Sequence, residues 1–297
     1  MRVAITGSSG LVGTALRDRL VGAGHVVVPV VRRAPGAGEV QWDPERGTID
    51  RGAFEGVDAV VNLAGVGIAE KRWTDEHKAA IRSSRIRATK LVSETIAAAA
   101  DGPTVLLSGS AIGCYGSRGD EVLDERSTLG SDFLAGVTEE WEASTAAASA
   151  AGIRVAHLRT GIVLSAKGGA LKKQLPLFRL CLGGRFGSGR QWQSWISIDD
   201  EVGAIMHLLT ADVSGPVNLT APEPVTNAEF AETLGSVLHR PAVIPVPAFA
   251  PKLLLGGELV DALLLEGQRV LPRVLRASDY SFAHPQLEGA LRAVLGR

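Results

Sequence analysis

Short runs of branched apolar residues alternate with longer segments in which apolar positions recur at helical spacing. Arg2 to Thr6 reads as a buried strand, and Leu11 to Val21 as a helix with Leu11, Ala15 and Leu16 on one face. His25 to Val31 is a second strand, in which Pro29 predicts an edge or a strand end. Ala59 to Leu63 is another continuous apolar strand, followed by a long helix over Asp75 to Ala100. Thr104 to Ser108 reads as a strand, Glu139 to Ala151 as a helix and Arg154 to Leu158 as a strand. Strands apolar on both faces and alternating with helices predict a parallel sheet covered by helices, an α/β fold.

The pattern changes after about residue 164. Glycine pairs appear at Gly168-Gly169 and Gly183-Gly184, then a Gly/Arg/Trp-rich loop from Gly187 to Ser194. Asp199 to Thr210 reads as a helix, and prolines from Pro216 onward break the rest into short elements. The expected organisation is a doubly wound nucleotide-binding unit over 1–164 plus about 196–215. A smaller α+β substrate cap over 165–195 and 216–297 would complete it. A length of 297 residues accommodates both.

Charge and composition narrow the function classes. Thirty-one Lys+Arg against 32 Asp+Glu leave no general attraction to nucleic acid or acidic lipid. The two cysteines, Cys114 and Cys181, lie far apart and have no metal-type spacing, and the six histidines are scattered, so no metal site is expected. No apolar run reaches the roughly 18 residues a membrane span needs. Met1 runs straight into a strand without the ordered regions of a leader, so the expected address is the cytoplasm. The expected partner is a small molecule, and a homodimer is left open.

The chemistry starts at the first turn. Gly7, Gly10 and Gly13 join the first strand to the first helix in a GxxGxxG spacing. A phosphate-binding turn needs such glycines for its tight bend, for close approach to pyrophosphate and for helix–strand packing. The helix N-terminus then offers free N–H groups to the phosphates. About twenty residues on, where an acid would hold the ribose hydroxyls of NAD, the chain reads Arg32-Arg33, with no acid before Glu39. An arginine fork suits a 2′-phosphate, so NADP is expected over NAD. The alternative is a solvated basic pair.

TGSSGLVG at this turn, DAVVNLAG from Asp58 and SGSAIGCYG from Ser108 resemble the extended short-chain dehydrogenase/reductases. The similarity is stronger to the atypical epimerase-family branch, through Lys71-Arg72-Trp73, Ser84-Arg85, Leu158-Arg159-Thr160-Gly161, the Gly187 to Asp200 loop and Leu265-Glu266-Gly267-Gln268-Arg269. The resemblance implies a Rossmann fold, a bound nicotinamide dinucleotide and a small C-terminal domain over the cleft. It implies that Gly7, Gly10, Leu11, Val12 and Gly13 hold the pyrophosphate and Arg32 the adenosine phosphate. Leu63, Ala64 and Gly65 would lie along adenine and ribose, and Ile162 and Val163 beside the nicotinamide. Arg85 would face the cofactor, or stand as an ordinary helix charge.

Two departures stand out. Superfamily chemistry uses a Tyr and a Lys four residues apart on one helix face. The stretch where they belong, Phe133 to Glu142, holds neither, and the only tyrosines are Tyr115 and Tyr280. Ser110 keeps the position that would polarise a carbonyl, unless it only caps local backbone. Tyr115 is the candidate replacement proton donor, or else a packing residue. The Arg-Asp pair that nucleotide-sugar epimerases carry before Asp199-Asp200 is also missing; Arg190 or Arg185 could compensate. Trp192 and Trp195 suggest a flatter, apolar binding surface or an interface between domains. An Asp at 199 or 200 is expected to cap the following helix. Two functions follow: an NADP-dependent oxidoreductase or epimerase acting on a small carbonyl or alcohol, and a non-catalytic NADP-binding sensor or interaction module.

Overall fold

The computed structural model describes every residue except Val243, and leaves out the side chains of Ala250, Leu254 and Leu255. Eight strands form the main sheet: β1 (Arg2–Thr6), β2 (Val26–Val31), β3 (Val40–Asp43), β4 (Thr48–Ile49), β5 (Ala59–Asn62), β6 (Val105–Ala111), β8 (Arg154–Thr160) and β12 (Gly215–Leu219). Their spatial order is β12-β8-β6-β5-β1-β2-β3-β4. All neighbours run parallel except β3 and β4, which form a hairpin at one edge. This is a Rossmann-type doubly wound sheet.

Alternation along each strand sends side chains to two different cores. Val3 and Ile5 of β1, Val61 of β5 and Leu107 of β6 face one side. There they meet Leu16 and Leu20 of α1 (Leu11–Gly22). Ala4, Val60 and Leu106 face the other, against Ala88, Val92 and Ile96 of α2 (Asp75–Ala97). Continuous apolar runs were therefore the correct signature of a strand buried on both faces. Pro29 lies inside β2 although β2 is not the last strand of the sheet. Pairing with β3 involves only Val30 and Val31, so the earlier part of β2 behaves as an edge.

The expected 139–151 helix is two helices, α3 (Phe133–Ala143) and α4 (Ala146–Ala150). Asp132 starts α3, its carboxylate accepting the Ala135 N–H at 2.8 Å. Ser144 and Thr145 end it, their hydroxyls donating back to the carbonyls of Glu140 and Glu142.

The remaining elements are β7 (Val122–Leu123), β9 (Ile162–Leu164), α5 (Gly169–Arg179), β10 (Trp192–Gln193), β11 (Trp195–Ser197), α6 (Ile198–Thr210), β13 (Val225–Thr226), α7 (Asn227–Leu238), α8 (Phe249–Leu255), α9 (Gly257–Val260), β14 (Arg269–Val270), α10 (Arg273–Ala277) and α11 (Leu287–Leu295). Leu171, Leu175 and Phe178 of α5 meet Phe230 and Leu234 of α7 and Leu287 and Leu291 of α11 in a separate core. Residues 216–219, expected in the cap, belong with Gly215 to the edge strand β12 of the main sheet, where Pro216 is tolerated. The α6 cap is Ser197, not an aspartate: its hydroxyl accepts the Asp200 N–H at 3.0 Å. Asp200 is buried and instead accepts from Tyr280, Ala283 and His284, tying the C-terminal segment to α6. Among the described residues, no helix is long and apolar enough to cross a membrane, and no cluster of side chains could hold a metal ion.

Candidate functional site

β1 lies between β2 and β5, so the chain winds away from it in both directions. The carboxyl ends of β1 and β5 therefore open the crevice in which such sheets take ligands. A polar ladder fixes this switch point. The Thr6 hydroxyl accepts the Leu63 and Ala64 N–H groups at 3.1 and 3.2 Å and donates to Asn62 Oδ1 at 2.6 Å. Asn62 Nδ2 and Trp141 Nε1 both donate to Thr89 Oγ1 at 2.8 Å. β1, β5, α2 and α3 are thus locked together by four side chains. The expectations passed over them because each looks like an ordinary strand or helix residue.

The glycine turn fits a pyrophosphate. Gly7 has φ +66°, and a Cβ there would stand 2.8 Å from the Leu63 carbonyl. A Cβ on Gly13 would stand 2.2 Å from the Gly7 oxygen, so the helix approaches the turn at a distance only glycine permits. No side chain caps α1, which leaves Leu11, Val12 and Gly13 as the first-turn N–H donors. Past β2 the two arginines diverge. Arg33 forks onto Glu39 at 2.6 Å on both oxygens, and Glu39 also accepts from the Gly36 N–H. The Arg33 guanidinium, with that N–H, holds the Glu39 carboxyl down at about 2. Arg32 is exposed and has no ion-pair partner among the described residues.

A cavity of about 320 Å³ opens beyond the switch point. Its walls come from α2 (Ile81, Arg85), the β6 end (Ser110), α3 (Leu134, Thr138, Trp141) and the β8 exit (Thr160, Ile162). The cap adds Trp192, Gln193 and Ser194, and the segment from Ala262 to Gln268 closes over them. That segment is strapped down. The Ser194 hydroxyl donates to the Gln268 carbonyl at 2.7 Å and accepts the Val270 N–H at 2.8 Å. A Cβ on Gly267 would stand 2.0 Å from the Trp192 oxygen. Trp192 lines the cavity, whereas Trp195 is fully buried packing. Arg185 is bound to its own loop carbonyls, and neither it nor Arg190 lines the cavity.

Ser110 and Tyr115 part company. Ser110 lines the cavity and donates to Glu142 Oε1 at 2.6 Å. Arg159 grips the same carboxylate through Nε and Nη2 at 2.8 and 2.9 Å. Burial works to raise the Glu142 carboxyl, but the Arg159 fork, the Ser110 hydroxyl and His157 together outweigh it and leave the group below its ordinary range. Glu142 is therefore an acceptor only, which fixes Ser110 as the donor. Tyr115 is fully buried behind this pair and does not line the cavity. Its hydroxyl donates to Asn218 Oδ1 at 2.7 Å and accepts from Arg159 Nη1 at 3.0 Å. Desolvation pushes the phenol well above its ordinary value, against the pull of Arg159. Phe133 also faces elsewhere, edge-on to Trp73 at 5.3 Å. Val163 follows the cavity residue Ile162 along β9, which pairs with β11.

One further carboxyl touches the cavity wall from below. Thr160 donates to Glu201 Oε1 at 2.9 Å. Glu201 is buried, its Oε2 has no partner among the described residues, and desolvation pushes it up to about 8.

Comparison with known proteins fits this architecture. Residues 246–294 match a domain of unknown function, DUF1731. A curated relative from Mycobacterium tuberculosis, "Epimerase family protein MT2273", is 46% identical over 291 residues, covering 97% of this chain and 96% of the relative. The human "Epimerase family protein SDR39U1" is 36% identical over 299 residues, covering 99% and 100%. A crystal structure of human SDR39U1 with NADPH superposes over the full length of both chains with a TM-score of 0.91 and 35% identity. A structure described as the nucleoside-diphosphate sugar epimerase from Corynebacterium glutamicum has a TM-score of 0.80 and 39% identity, covering all of this chain and 58% of the other. Residues 3–220 match the NAD dependent epimerase/dehydratase family, and the chain belongs to that family.

Proposed function

We propose that this protein binds NADP(H) across the β1/β5 switch point and is an oxidoreductase or epimerase for a small carbonyl or alcohol. The observation that carries this reading is a cavity at the carboxyl ends of β6 and β8, in the same sheet as β1 and β5, with Ser110 on its wall. Gly7, Gly10, Leu11, Val12 and Gly13 would hold the pyrophosphate, and Leu63, Ala64 and Gly65 the adenosine side. Arg32 would take the 2′-phosphate, since Glu39 is already committed to Arg33. Val163, with Ile162, would flank the nicotinamide. The human SDR39U1 structure with NADPH supports the cofactor assignment. The proposed compartment is the cytoplasm.

When bound, the nicotinamide supplies the hydride donor or acceptor for carbonyl–alcohol interconversion. Ser110 sends its proton to Glu142, so its lone pairs are what it offers the cavity. It therefore accepts a hydrogen bond from a substrate hydroxyl and orients the alcohol form. Arg159 keeps Glu142 ionised and Ser110 in that orientation. The apolar walls at Leu134, Trp141 and Ile162 exclude water from the reacting face.

A non-catalytic nucleotide-binding role is the second reading. It is favoured by one observation: among the described residues, no tyrosine or lysine lines the cavity. NADPH oxidation over a panel of small aldehydes, ketones and oxo acids separates the two. The proposal expects turnover that Ser110→Ala lowers at least tenfold, with NADPH affinity unchanged. Tight NADPH binding without turnover anywhere on the panel supports the second reading and overturns the first.

A further inference from the structure

Arg85 is a cation set in an apolar wall without a counter-charge. It projects from α2 into the lining of the cavity and stacks on the Trp141 ring at 5.0 Å. Nη1 donates to the carbonyls of Val66 and Ile81 at 2.9 and 3.0 Å, which uses both of its N–H groups. The N–H groups on Nε and Nη2 remain, and these form one complete edge of the guanidinium fork. No carboxylate among the described residues lies within ion-pair distance of it. Desolvation alone acts on this guanidinium and lowers it to about 10, as expected of a cation left uncompensated in its surroundings.

Among the described residues, the only other charged residue of the lining is Glu266, exposed on the cap. Ile68, Ile81, Ile112, Leu134, Ile162 and Leu263 make most of the remaining wall apolar. No residue of the glycine turn and neither Arg32 nor Arg33 lines this cavity. The nucleotide phosphates thus have their own donors elsewhere. A half-buried cation with a free fork in a largely apolar cavity is suited to one planar anion.

We propose that Arg85 anchors a carboxylate of the substrate through Nε and Nη2, which makes the substrate a small carbonyl or hydroxy acid with an apolar body. This deepens the reading of the cavity as the substrate end of the site and rests on it. A volume of about 320 Å³ sits at the low end of ligand pockets, which run from roughly 300 Å³ upward, and favours such a compact acid over a nucleotide-linked sugar.

The test uses the full chain saturated with NADP+, on which an oxo acid cannot be reduced. Calorimetric titration with a panel of three- to nine-carbon 2-oxo acids, each paired with its neutral methyl ester, reads the anchor directly. At least one acid is expected to bind ten times more tightly than its ester. Arg85→Met should remove that preference, Arg85→Lys should keep part of it, and the NADPH dissociation constant should stay within twofold in both. Equal binding of acid and ester, or no binding of any acid, overturns the proposal while leaving NADPH binding intact. An Arg85→Met variant that loses NADPH affinity tenfold but still prefers the acid places Arg85 on the cofactor and also overturns it. Loss of NADPH binding in the wild-type chain would instead mark failure of the cofactor reading.

Discussion

Glu201 makes the stability of this protein depend on pH in the opposite sense to an ion-paired acid. The carboxyl is buried, takes one hydrogen bond from Thr160 and has a second oxygen without a partner among the described residues. Desolvation raises it from the ordinary 4.5 to about 8. In the unfolded chain it ionises near 4.5, while in the folded chain it keeps its proton up to about 8. Between those values the folded state binds more protons, so stability falls as pH rises. At about 1.4 kcal/mol per pH unit, the loss is about 3 kcal/mol at pH 7. It levels off near 5 kcal/mol above pH 8 as an upper bound. Glu201→Gln keeps an oxygen for Thr160 and removes the titration. Reversible urea denaturation at pH 5, 6, 7, 8 and 9 provides the comparison. The variant should gain on the wild type steadily from pH 5 to 8, then hold a constant lead. Parallel stability profiles across that range would refute the argument.

Two other substitutions test the frame of the site. Gly13→Ala puts a Cβ 2.2 Å from the Gly7 oxygen, and should cost about 3 kcal/mol or more and abolish NADPH binding, read by thermal melting and titration. Tyr115→Phe strips partners from Asn218 Oδ1 and Arg159 Nη1 and should cost about 1–3 kcal/mol of stability. It should leave turnover in the surviving folded protein unchanged, and a complete loss of turnover would return Tyr115 to the chemistry.

Much of this fold was legible because its strands are buried on both faces. Val3 to Ile5 and Ala59 to Val61 are apolar runs bounded by glycine turns and too short for a helix. β12 was not legible, since Gly215-Pro216 reads as a break until an edge position excuses the proline. The division of α3 from α4 depends on Ser144 and Thr145 bonding back to carbonyls, a choice that periodicity does not register. At the site, the glycine turn announced itself because Gly7 and Gly13 are sterically required. The difference between Arg32 and Arg33 could not be read from a pair of adjacent arginines; it appears only when Glu39 folds back onto one of them. Tyr115 looked available because tyrosines are scarce here, yet burial against Arg159 and Asn218 removes it from the cavity. Glu142 went unnoticed as a helix carboxylate. Its role depends on β8 bringing Arg159 across to it from 17 residues away.

The central claim concerns which nucleotide the crevice holds, and fluorescence titration of the purified protein with NADPH and NADH tests it. The account predicts clear preference for NADPH, with Arg32→Ala weakening NADPH roughly 10- to 100-fold and leaving NADH unchanged. Equal affinity for the two nucleotides, or a preference that survives Arg32→Ala, would contradict it.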